Sequence, residues 1–174
     1  QVGLILNTFI RRSDVVKIAC LAQLVNVIAP IMTAPNGPAW RQTIFYPFMF
    51  ASRFGRGKAL DLKAEGPTYA TKVAGDVSCL DVSAVHDDKT GHVTFFIVNR
   101  SDREIAAEFS LEGFATAPRI ADHQVMTHAD LKAVNSQSDM TSVVPKKGDG
   151  ANMNGNLLTA EFAAYSYQMI RVKV

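Results

Sequence analysis

"VVKIACLAQLVNVIAPI", Val15–Ile31, is the stretch on which the reading of the fold turns. Its first half, Val15–Ala22, is almost continuously apolar and rich in β-branched residues, which predicts a fully buried strand of the parallel type. Its second half is interrupted by two amides, Gln23 and Asn26, and closed by Pro30. A buried amide without a partner costs about 1–3 kcal/mol. These two side chains must therefore be satisfied by the protein itself or by a ligand.

On the N-terminal side, "QVGLILNTFIRRSD" places Leu4, Ile5, Thr8 and Phe9 at helical spacing. Arg11 and Arg12 fall in the last turn, where cations suit the helix dipole. No capping residue precedes Leu4, so the pattern predicts the tail of a helix that begins upstream. On the C-terminal side, a loop with Pro30, Pro35 and Asn36-Gly37-Pro38 leads to a predicted helix from about Ala39 to Phe54. Pro47 is expected to kink it, and Gly55 and Gly57 to end it. Helix, strand, loop and helix spell one closing unit of an α/β barrel or an open α/β sheet.

From Lys58 onward the pattern changes to period two. "EIAAEFSL" puts Ile105, Ala107, Phe109 and Leu111 on one face, with Glu104, Glu108 and Ser110 on the other. "DVSCLDVSAVH" and "HVTFFIVN" flank Asp87-Asp88-Lys89-Thr90-Gly91, a hairpin loop. The terminal "YQMIRVKV" turns Ile170, Val172 and Val174 inward and Arg171 and Lys173 outward. Residues 135–156 are polar and Gly-rich and predict a long irregular loop. Strands at this spacing indicate an antiparallel sandwich.

Composition narrows the classes of function. With 174 residues and 48% hydrophobic content, the chain can bury a real core. A net charge of +2 with scattered Lys and Arg gives no basic patch for nucleic acid or an anionic membrane surface. No apolar run is long enough to span a bilayer. Cys20 and Cys79 lie in strand-like runs and read as reduced core thiols. His123 and His128 fit no standard metal spacing, so no metal or cofactor is expected. Asn99-Arg100-Ser101 has the form of a glycosylation sequon but reads as a turn between strands.

"VKIACLAQLVNVIAPIMT" followed by "GPAWRQTIFYPFMFASRFGRG" closely resembles the C-terminal part of glycoside hydrolase family 51 α-L-arabinofuranosidases. The resemblance is densest over Asp14–Gly57 and continues through "VSCLDVSAVHDDKTGHVTFFIVNRS" and "VNSQSDMTSVVP". It implies the last strand-loop-helix unit of a (β/α)8 barrel over residues 1–57, followed by an antiparallel jelly-roll β-sandwich over residues 58–174. It also implies a retaining hydrolase acting on terminal arabinofuranosyl groups of an oligosaccharide or polysaccharide, working as a homo-oligomer, often a hexamer, in the bacterial cytoplasm. Retention needs two carboxyls about 5 Å apart, one as acid/base and one as nucleophile. Among residues 1–57 the only carboxylate is Asp14, ahead of the strand, and the remaining acidic residues belong to the sandwich. No catalytic residue is therefore expected in this chain, and the chain by itself is expected to be inactive.

Gln23 falls at the C-terminal end of the candidate strand, where barrel enzymes assemble their sites. A primary amide both donates and accepts, which suits adjacent sugar hydroxyls. The resemblance likewise implies that this glutamine lines the arabinose pocket. The alternative is that Gln23 only satisfies backbone as strand gives way to loop. Asn26, before a Pro-terminated turn, is expected to hold the loop instead. Trp40 is read as packing. The competing function class is an autonomous carbohydrate-binding or scaffolding sandwich, which should carry exposed aromatics on a sheet face or loop. The aromatics concentrate instead at Trp40–Phe54.

Overall fold

The first helix forms where the periodicity predicts one, but it docks by a different face. In the computed structural model, which describes residues 1–114 and 117–174, α1 spans Val2–Arg11 and buries Gly3, Leu6 and Asn7. Gly3 permits the approach: a Cβ there would meet Tyr167 Cδ2 at 2.8 Å and Val98 Cγ2 at 3.0 Å. Ile5 stays exposed and Leu4 and Phe9 only half-buried, so α1 keeps a second apolar face.

The strand predicted over Val15–Ala22 does not form. Residues 12–15 turn, and residues 16–21 are irregular and belong to no ladder among the described strands. A parallel strand acquires its hydrogen bonds and its burial from neighbours on both sides. None of the described strands lies beside this segment, and Ile18, Leu24 and Val27 are 84%, 80% and 81% exposed. Cys20 is exposed as well, against the expectation of a core thiol, whereas Cys79 is buried. The barrel unit expected over residues 1–57 is thus not seen among the described residues, although both predicted helices are present.

Next come β1 (Ile31–Thr33) and β2 (Ala39–Arg41), an antiparallel hairpin pairing Ile31 with Arg41 and Thr33 with Ala39. The predicted helix starts later than Ala39, as α2 (Phe45–Phe54). Pro47 does not kink it. It is the third helical residue, in the first turn, where a backbone N–H has no intrahelical acceptor to lose. The helix stops at Gly55, whose N–H reaches Ala51 O at 2.8 Å.

The remainder is β throughout. The strands are β3 (Lys58–Leu60), β4 (Thr68–Thr71), β5 (Gly75–Ser78), β6 (Leu80–Asp87), β7 (His92–Asn99), β8 (Ile105–Ser110), β9 (Arg119–Met126), β10 (Lys146–Lys147), β11 (Ala151–Asn154), β12 (Leu157–Phe162) and β13 (Tyr167–Lys173). A six-stranded sheet runs β10-β9-β13-β7-β6-β3 and faces a three-stranded sheet, β11-β12-β8, with every pairing antiparallel. The expected loop over 135–156 is irregular as far as Val144–Pro145, then supplies β10 and β11. In β11, Ala151 and Met153 alternate toward the core while Asn152 and Asn154 stay exposed.

Between the sheets lie Val93, Phe95 and Ile97 of β7, Ile170 and Val172 of β13, and Leu158, Ala160 and Phe162 of β12. Ile105, Ala107, Phe109 and Leu111 turn inward as the alternation predicts, with Phe109 4.9 Å from Phe95 between ring centroids. The other face of the large sheet is covered by helices: Phe96, Tyr167 and Met169 pack with Tyr46 and Phe50 of α2. This second burial explains why "HVTFFIV" is apolar on both faces. Arg171 turns outward as predicted, its guanidinium 4.2 Å from the Phe54 ring centroid.

Polar contacts fix α1 on the same face. Asn7, 1% exposed, donates to Asp81 O, Asp81 Oδ1 and Phe96 O, and accepts from the Ser83 hydroxyl. Arg11 forks onto both Asp81 carboxylate oxygens and donates to Val82 O. The sequon-like Asn99 is also buried. Its amide nitrogen donates to Arg103 O, Phe162 O and Ala163 O, and its oxygen accepts from the backbone N–H and hydroxyl of Ser101.

Candidate functional site

The segment that carries Gln23 leads into a tightly held turn. The Ala22–Gln23 peptide is cis, and Gln23 is exposed. Three residues on, Asn26 adopts φ +62°, a left-handed conformation that asparagine tolerates better than most residues. Its Oδ1 accepts from Thr33 N–H at 2.7 Å, and its Nδ2 donates to Thr33 Oγ1 at 2.9 Å. Asn26 N–H donates to Ile31 O, and Ala29 N–H to Asn26 O. The loop-holding role expected of Asn26 is what its geometry provides. The two amides of the opening stretch therefore differ: one is spent on the fold and one is open.

The turn is continuous with the β1–β2 hairpin, which meets the sandwich through a residue the sequence did not single out. Trp40 sits in β2, not at a helix start, and its indole N–H donates to Asn135 O at 3.2 Å. Asn135, 1% exposed, donates from Nδ2 to Arg41 O at 2.8 Å and to Val143 O at 3.0 Å, and accepts Val143 N–H at 2.8 Å. An asparagine in a polar loop carries no periodic signal. Only its distant partners, Trp40 and Arg41, reveal it.

The titratable groups do not converge. Asp14 is exposed, and its bond to the Arg12 guanidinium at 3.1 Å holds its carboxyl below the ordinary range. Asp87 is lowered chiefly by the Thr90 hydroxyl it accepts, within the β6–β7 turn. Glu104 and Glu108 are exposed. His123 is buried against Gln168 at 2.7 Å, while His128 bonds only its neighbour Asp130. Among the described residues, no group of three His, Cys, Asp or Glu side chains could hold a metal ion.

Two depressions mark the helical side. A cleft of about 730 Å³ lies between the start of α1 and the loop after β9, and Asp130 is the one carboxylate in its described lining. A groove of about 450 Å³ runs between α1 and α2, lined by Leu6, Phe9, Ile10, Val16, Phe48 and Ala51. It borders the irregular, exposed segment that begins at Val15.

Comparison with known proteins supplies the context. The sequence profile described as alpha-L-arabinofuranosidase C-terminal domain matches residues 1–166. An intracellular exo-alpha-(1->5)-L-arabinofuranosidase 1 of Bacillus subtilis is 44% identical over 172 residues, which are 99% of this chain and 34% of that protein. An intracellular exo-alpha-(1->5)-L-arabinofuranosidase of Halalkalibacterium halodurans is 42% identical over 175 residues, covering 98% and 34%. A solved family 51 alpha-L-arabinofuranosidase from Bifidobacterium longum superposes with a TM-score of 0.88 at 30% identity, over 97% of this chain and 34% of that one. The chain spans about a third of the length of the curated relatives it matches.

Proposed function

Since the chain belongs to the alpha-L-arabinofuranosidase C-terminal domain family, we propose that it is the C-terminal part of a retaining exo-acting arabinofuranosidase. The whole enzyme releases terminal arabinofuranosyl groups from arabinan, arabinoxylan or arabino-oligosaccharides. The observation that carries this reading is the 44% identity, over nearly the whole chain, to a relative named for that activity. Residues 1–57 belong to the catalytic barrel and residues 58–174 to the sandwich. The acid/base and nucleophilic carboxyls, about 5 Å apart in such a mechanism, reside on barrel strands outside this chain. Val15–Ala22 becomes a ladder strand once those neighbours flank it, which also removes its exposed apolar surface from water. The assembled enzyme is a bacterial cytoplasmic homo-oligomer, hexameric by family resemblance, and it needs neither metal nor cofactor.

Within that enzyme, Gln23 contributes a wall of the sugar pocket. Its amide donates to one arabinose hydroxyl and accepts from another. In the full-length enzyme, Gln23→Ala is expected to lower kcat/KM by the equivalent of about 1–3 kcal/mol, the scale of an unmatched polar group. Gln23→Glu should also be poor, because a carboxylate loses the donor and adds a charge near the catalytic pair. Steady-state kinetics on an aryl arabinofuranoside test this, and unchanged constants for Gln23→Ala would remove Gln23 from the site.

A further inference from the structure

We infer that Asn135 is a positioning residue through which the sandwich sets the geometry of Gln23; the inference rests on reading Gln23 as a sugar contact. The path runs along three residues of backbone from Gln23 to Asn26 and from there through hydrogen bonds. Gln23 lies three residues before Asn26, whose side chain is doubly bonded to Thr33 in β1. β1 pairs with β2 over Ile31–Arg41, Met32–Trp40 and Thr33–Ala39, and Gln42 N–H closes on Pro30 O at 2.8 Å. The far strand is then gripped twice by Asn135, through Trp40 Nε1–H and through Arg41 O.

Two facts make this grip more than incidental. First, β1 and β2 are three residues each and pair with no other described strand. A lone two-stranded ribbon is marginal in water, so its pose must be imposed from outside. Second, Asn135 is itself anchored: Val143, buried, bonds both ends of its amide. The side chain offers two donors and one acceptor, and all three are engaged. A short amide fits this task, since one end must hold the sandwich loop while the same nitrogen holds the hairpin. Displacing the hairpin would move the Asn26 turn and with it Gln23, and small misplacements at a reacting centre are costly in rate.

A double-mutant cycle in the full-length enzyme tests this, using Trp40→Phe, Asn135→Ala and Gln23→Ala on an aryl arabinofuranoside. Trp40→Phe keeps the ring and deletes only the N–H bond to the Asn135 backbone carbonyl, whereas Asn135→Ala deletes the amide bond to Arg41 O. The two loosen the same hairpin by different bonds, so Trp40→Phe still reads the hairpin's pose where Asn135→Ala fails to fold. Trp40→Phe alone should lower kcat/KM about 2- to 10-fold, the scale of one lost hydrogen bond. In the Gln23→Ala background its further effect should shrink to within about a factor of two, because both changes act on one contact. Full effect in both backgrounds, or no effect in either with Gln23→Ala impaired, overturns the positioning role and leaves the Gln23 reading intact. A silent Gln23→Ala instead overturns the sugar contact, and the positioning role with it.

Discussion

Three asparagines, Asn7, Asn99 and Asn135, hold this protein together at points where apolar residues could not. Each is 1% exposed, and each bonds carbonyls supplied by distant segments. For Asn7→Ala we expect a loss of about 1–3 kcal/mol in stability, because the Ser83 hydroxyl and two carbonyls lose a buried partner. A lowered midpoint in chemical denaturation with an unchanged slope would report it. Of the amides, Gln23 and Asn26 were legible in the sequence because they interrupt a long apolar run. Asn7 interrupts one too, yet its role was not legible, since its partners Asp81 and Phe96 lie 74 and 89 residues away. A side chain's own pattern announces that it is out of place, but not what lies opposite.

Elements were legible in proportion to how much of their support lies in this chain. β6, β7, β8 and β13 find their partners among the described strands; alternation identified β8 and β13, and the hairpin loop Asp87–Gly91 identified β6 and β7. Val15–Ala22 carries an equally strong strand signal but remains irregular, and no described strand pairs with it. α1 was legible as a helix, while its docking face was not. Leu4, Ile5 and Phe9 form the more apolar stripe, but Gly3 and Asn7 offer closeness and hydrogen bonds to the sheet. Gly3→Val should therefore act on docking rather than on helix formation. Its side chain meets the Tyr167 ring and Val98, and overpacking of that kind costs about 1–3 kcal/mol. The expected signature is a weakened near-ultraviolet circular dichroism signal with the far-ultraviolet spectrum retained.

At the scale of the whole molecule, two surfaces behave differently: a sandwich with a closed interior, and an apolar segment from Val15 to Ile28 left open. Patches of this kind drive association in water. The isolated 174-residue chain is expected to self-associate with rising concentration in sedimentation velocity, and Ile18→Lys with Leu24→Lys to reduce it. A monodisperse monomer at high concentration, before any substitution, would show that the segment is covered in solution. The sheet order carries another consequence. β13, the strand made after all the other strands described, lies in the middle of the large sheet between β9 and β7. Until that strand emerges from the ribosome, the nascent sheet is divided into halves, each showing an open edge to any passing polypeptide. Tyr167–Lys173 acts as the closing stitch, so a premature stop at Tyr167 yields two half-sheets exposed to chaperones and proteases rather than a slightly shortened domain.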